Sequence, residues 1–145
     1  MEIKISLLII LPIIWIAFSI LEGIREGYTY AYRDSKDDGY KKDLHPLFTI
    51  QRGLMVIALL IPLICIAKYY VLLEALAFAL VFPLIHDGMY YVTRHRINND
   101  VYKDGFLTDK NTSTAKISFQ RFFHRLGLAM LACVAYGLFV WMVTK

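Results

Sequence analysis

Glu22 and Glu26 stand four residues apart, as do His86 and Tyr90, Tyr90 and Arg94, and Asp87 and Tyr91, so in a helix each pair shares a face. Arg121 and His124 are three apart, which serves the same end. With Arg52, these acids, bases and phenols make a set able to hold a small charged species: Glu22, Glu26, Arg52, His86, Asp87, Tyr90, Arg94, Arg121 and His124. Arg52, Arg94 and Arg121 suit an anion or phosphate, whereas Glu22, Glu26 and Asp87 suit a cation. Glu22, Glu26, His86 and His124 are also the residue types of a carboxylate and histidine metal site, which beside lipid headgroups could activate water. The spacing speaks against that chemistry, because the chain has no HxxxH, no Glu-x-x-His and no HExxH. A haem held between His86 and His124 is the weaker choice of cofactor, resting on one histidine in each of two segments. Histidines beside arginines and acids more often serve as hydrogen-bonded structure.

These residues owe their meeting point to the segments that carry them. The chain has 145 residues, 58% hydrophobic and 19% charged, with a mean hydropathy of +0.51. Soluble domains run at about 45–50% apolar and about 25% charged, so the excess points to a bilayer. Apolar runs cover 5–21, 53–67, 71–85 and 126–143. A helix needs about 20 residues to span, so the middle two runs are short unless they draw polar neighbours inward. Lys68-Tyr69-Tyr70 between them suits a tight hairpin at an interface. Counting about 20 residues each way from that turn places Thr49, Gln51, Arg52, His86 and Asp87 in the inner leaflet. The same count from the termini brings Glu22 and Arg125 to the inner boundary, with His124 just outside. All four segments thus bring ionisable groups to one level, and Arg52 needs an acid there, Asp87 or Glu22. Glu74 is the one acid expected within the outer half.

The predicted architecture is all-α: a single transmembrane domain over 1–145, an integral membrane four-helix bundle with helices near 4–32, 46–67, 70–97 and 118–144. The amino-terminal segment has the outline of a signal peptide, with Lys4, an apolar stretch and Ala17-Phe18-Ser19, but is expected to stay as a span. Of 16 Lys and Arg residues, only Lys4, Lys68 and Lys145 fall at the opposite end from the two long connections. The positive-inside rule then puts loops 24–50 and 92–118 in the cytoplasm and both termini outside. The expected location is the bacterial cytoplasmic (inner) membrane. Pro12, Pro62 and Pro83 each remove a helical hydrogen bond, freeing the carbonyls of Leu8, Ala58 and Ala79. Ala129, Cys133 and Gly137 form a small-residue ridge that allows close approach by another helix, within the chain or across an oligomer. Cys65 and Cys133 sit in apolar runs without metal or redox spacing.

Nucleic acid is not an expected partner, because the basic residues are interspersed with acids and mark threading. Asp34, Asp38 and Gly39 fit three calcium-loop positions, but Lys36 and His45 occupy places that need acceptors. Asn111-Thr112-Ser113 matches a glycosylation site on the wrong side of the membrane. The expected partners are membrane lipids, with self-association or a membrane complex. The expected function is a cytoplasm-facing polar cluster that binds or conducts an ion, a proton or a lipid headgroup, without catalysis. Two alternatives stand beside it. One is a metal- or haem-dependent enzyme acting near headgroups; the other is a non-catalytic interaction subunit whose long 98–118 loop docks a partner. Arg25 and Arg125 are expected only to set orientation and meet headgroups.

Overall fold

The computed structural model describes residues 2–34, 45–102, 105–107 and 121–145, with side chains from 6 to 32 and from 47 onward within those ranges. Four α-helices follow in order: α1 (Glu2–Asp34), α2 (His45–Ala67), α3 (Val71–Ile97) and α4 (Phe122–Thr144), with a 3-10 turn at Lys68–Tyr70. No strand occurs among the described residues. The calcium-like segment, apart from the backbone of Asp34 and His45, and Asn111–Ser113 lie outside them, as do 118–120, the expected start of the fourth helix. Three stretches are long and apolar enough to cross a bilayer: Ser6–Tyr32, Leu47–Ile97 and Phe122–Thr144. They mark the chain as an integral membrane protein.

The 51-residue stretch from Leu47 to Ile97 is broken by its own turn. Lys68 has a φ of +49°, a left-handed conformation that stops α2. The chain then folds back, and Arg52 meets Phe82 and His86 across the hairpin. Trp15 meets Phe78, Glu26 meets His86 and Tyr30 meets Tyr90, so α1 runs parallel to α3. In α4, Arg125 lies over Tyr91 while Tyr136 reaches Leu8, so α4 runs the other way. α3 is the axis of the molecule: α1 and α4 pack along it on different faces, and α2 is the most lightly held.

The α1 face against α3 is a continuous stripe of Leu8, Leu11, Trp15, Ser19, Glu22, Glu26 and Tyr30, all buried. Within it Gly23 and Gly27 form a GxxxG pair, which lets helix backbones approach closely. A Cβ on Gly27 would lie 2.7 Å from Cβ of Thr93, and one on Gly23 would run into the His86 carbonyl oxygen. Trp15 anchors the other half, its ring centroid 5.4 Å from those of both Phe18 and Phe78 and its Nε1 donating to the Phe78 carbonyl at 2.9 Å. The Leu8 carbonyl that Pro12 leaves without its helical partner accepts from the Tyr136 hydroxyl.

On α4 the buried line is Arg125, Ala129, Ala132, Ala135 and Phe139, and Ala132 and Ala135 cluster with Ala77. Cys133 and Gly137, expected on the same ridge as Ala129, are exposed instead. Three- and four-residue steps alternate along a packed helix, and the ridge expected at strict intervals of four drifts off the contact line. The outward face of α2 is equally greasy, with Leu54, Ile57, Ile61 and Ile64 exposed, as lipid contact requires.

Candidate functional site

Close approach at Gly23 seats the α1 carboxylates against α3 at the level of His86. Arg52 of α2 closes the group from the third side, donating to Glu26 Oε1. Its Nε stands 3.7 Å from Glu22 Oε1, and its Nη2 stands 3.0 Å from His86 Nε2. His86 Nε2 is also 3.1 Å from Glu26 Oε2, while Nδ1 is 2.9 Å from Asp87 Oδ1. Arg25 completes the rim, donating to Glu22 at 2.7 Å and to the Gln51 side chain at 2.9 Å. Phe82 forms the floor, stacked with the His86 ring at 4.6 Å and lying 4.8 Å beneath the Arg52 guanidinium carbon.

The group is graded from dry to wet. The side chains of Glu26 and His86 are 4% and 5% exposed, against 25% for Asp87 and 42% for Arg25. Buried charges of this kind are sustained by pairing and hydrogen bonds. Three carboxylates, Glu22, Glu26 and Asp87, meet two guanidiniums, Arg25 and Arg52, which leaves one negative charge in excess while His86 is neutral. One proton on the imidazole balances the site.

The structure divides the expected set. Glu22, Glu26, Arg52, His86 and Asp87 come together, and the acid nearest Arg52 is Glu26, with Glu22 second. Asp87 does not serve Arg52, because its carboxylate is engaged by the neighbouring imidazole. Tyr90 and Arg94 form a separate group about two turns along α3: Arg94 Nη1 donates to the Tyr90 hydroxyl at 2.6 Å and its guanidinium lies 3.8 Å over the Tyr102 ring. His95 Nδ1 donates to the Tyr102 carbonyl at 2.7 Å and helps hold that ring in place. Arg121 and His124 are exposed at the start of α4, and neither side chain reaches a described residue of the cluster. α4 packs on a different face of α3 from α1, so a shared depth does not become a shared site.

Two residues expected to be headgroup contacts are placed otherwise. Arg25 belongs to the cluster. Arg125 is fully buried, over Tyr91 at 5.3 Å and donating to the Phe106 carbonyl at 3.3 Å. The Phe106 ring in turn fills the notch left by Gly88. The signal that would have placed Glu22 and Glu26 is the Gly23-x-x-x-Gly27 pair, which says which side of α1 meets a helix.

The metal set Glu22, Glu26, His86 and His124 is not assembled: among the described residues no three His, Cys, Asp or Glu side chains gather as a metal site. His124 is exposed at the start of α4 rather than among the other three, and the guanidinium of Arg52 occupies the place between Glu22, Glu26 and His86 where a cation would bind. The pairing of His86 and His124 needed for a haem is absent for the same reason. No protein family, curated protein or solved structure matches the chain.

Proposed function

We propose that the chain crosses the bacterial inner membrane four times, with the Lys68–Tyr70 turn and both termini outside, and that its inner-leaflet cluster binds or conducts a small charged species. The species we favour is the proton. The observation that carries this is the placement of His86 Nε2 between a donor, Arg52 Nη2 at 3.0 Å, and an acceptor, Glu26 Oε2 at 3.1 Å. A guanidinium can only donate and a carboxylate oxygen can only accept. With Nε2 bare, it accepts from Arg52 while Nδ1–H donates to Asp87. With Nε2 protonated, it donates to Glu26, and Arg52 keeps its bonds to the acids of α1. A proton taken up at Nε2 and released from Nδ1 to Asp87 leaves the ring neutral in its other tautomer, so the imidazole can transfer as well as store it. Histidine and carboxylate chains within membrane segments are the usual substance of proton relays.

Proton flux into liposomes tests this, with pyranine trapped inside and a potassium diffusion potential as the driving force. Wild-type protein is expected to acidify the lumen faster than empty liposomes, and H86L and E26Q to fall at least tenfold, with L54A unchanged. Equal rates in wild type, H86L and empty vesicles rule out conduction. Proton binding is then judged by proton uptake in detergent, one proton fewer in H86L than in wild type.

A further inference from the structure

Glu74 lies in the first turn of α3, in the other half of the molecule from the cluster, and the cluster does not use it. It has no solvent exposure, and neither carboxyl oxygen has a hydrogen-bond partner among the described residues. Its helical neighbours one turn away, Val71 and Phe78, belong to the apolar cluster that also holds Leu63, Ala67 and Phe139. The titratable groups at this level are few. α1 contributes none between Ser6 and Leu21, and α2 only Cys65, which is exposed. The turn offers Lys68 and Tyr69, both exposed, and Tyr70. α4 offers exposed Cys133, Lys145 held over the Trp141 ring at 3.7 Å, and Tyr136. Among the described residues none of these forms a salt bridge with Glu74. Tyr136 is near enough to interact with it electrostatically, but its hydroxyl proton is committed to the Leu8 carbonyl.

A carboxylate without a cation or donor, enclosed in apolar surroundings, is far costlier than a neutral carboxylic acid in the same place. Acids within membrane segments are otherwise rare, and those kept there mark proton or ion pathways. An apolar groove of about 160 Å³ lies nearby, lined by Trp15, Ala77, Phe78, Ala132, Cys133 and Tyr136 among others. Ala77 and Phe78 stand one helical turn beyond Glu74 on the same side of α3, so an apolar reagent seated in the groove comes within about one turn of the carboxyl.

We infer that Glu74 is a second proton-binding site, a carboxylic acid held in the outer half of the protein and reached through hydrocarbon rather than through water. Its chemistry is reversible loss of one proton from the carboxyl oxygen, and it stands apart from the His86 cluster, whose function it does not presuppose.

Two measurements on the full-length protein in lipid test the site. Infrared spectra at neutral pH are expected to show the carbonyl stretch of a protonated carboxyl group that is missing in E74Q. Dicyclohexylcarbodiimide, which attacks protonated carboxyls from the lipid phase, is expected to label Glu74 with at least tenfold preference over a water-soluble carbodiimide, as read by peptide mass spectrometry. E74Q and E74L are expected to fold with a Tm no lower than wild type, because no bond is lost. An infrared band unchanged in E74Q, or labelling of Glu74 by the water-soluble reagent as readily as by the apolar one, overturns the assignment. So does a large fall in Tm for both variants, which would show a structural bond to the carboxylate.

Discussion

Arg52 is the residue on which the cluster turns, since it is the positive charge that both α1 carboxylates and the α3 imidazole share. Removing one member of a buried ion pair leaves the other charge uncompensated, typically at about 3–5 kcal/mol. R52M is therefore expected to lose on the order of 3 kcal/mol of stability in detergent, measured by thermal or denaturant unfolding. R52K retains the charge without the fork that reaches Glu22, Glu26 and His86 at once, and is expected to recover only part of the loss. Substituting Arg121 is expected to change stability by less than about 0.5 kcal/mol, as at other exposed positions. Equal losses in R52M and an Arg121 variant would remove Arg52 from its central place.

At the scale of the helix, the two glycines of α1 determine whether the carboxylates meet His86 at all. G27L is expected to push α1 away from Thr93 and cost on the order of 2 kcal/mol, within the usual range for overpacking. At Gly53 and Gly137 a Cβ would project into open space, so G53A and G137A are expected to be neutral or to gain up to about 1 kcal/mol from lower chain entropy. Unfolding of the three variants side by side checks both halves of this expectation.

The helices themselves are legible in the sequence, because length and hydropathy set them, and α2 and α3 end within a residue of their expected limits. Relative level along the helices is legible as well: Glu22, Arg52 and His86 do lie side by side. Azimuth is not. Both the packed face and the lipid face of a membrane helix are apolar, so periodicity, which in water separates inside from outside, carries little information here. That is why depth alone groups Arg121 and His124 with residues they do not touch, and why Arg125, buried against Tyr91, reads as a surface residue. Small residues are the remaining clue to azimuth. They point correctly on α1 at Gly23 and Gly27, and only in part on α4, where Ala129 is buried but Cys133 and Gly137 are not.

For the whole molecule, the proposed threading makes the turn and the long connections mutually exclusive in their access to water. Tyr69 and Val101 are both well exposed, at 67% and 62%, and lie at opposite ends. With Cys65 and Cys133 replaced by alanine, Y69C is expected to react with an impermeant maleimide in intact cells, whereas V101C reacts only after the membrane is opened. The reverse pattern would invert the threading. Reaction of both in intact cells would be incompatible with a helical hairpin that spans the bilayer.

The pairing of α1 with α3 also bears on how the protein is made. Translation delivers Glu22 and Glu26 to the membrane well before Arg52 and His86 have left the ribosome. Until then Glu22 has Arg25 of its own helix beside it but Glu26 still lacks Arg52 and His86, and an acid carried to the bilayer centre costs about 2.5–3.5 kcal/mol. Their place near the end of the span lets the nascent helix ride high, with both carboxylates still in the headgroup water. On the proposed threading it is expected to sink to its final depth when the α2–α3 hairpin arrives carrying the guanidinium. On this reading a chain stalled with Arg52 still inside the ribosome, but with α1 already released, is expected to leave α1 shallow and open to protease at its inner end.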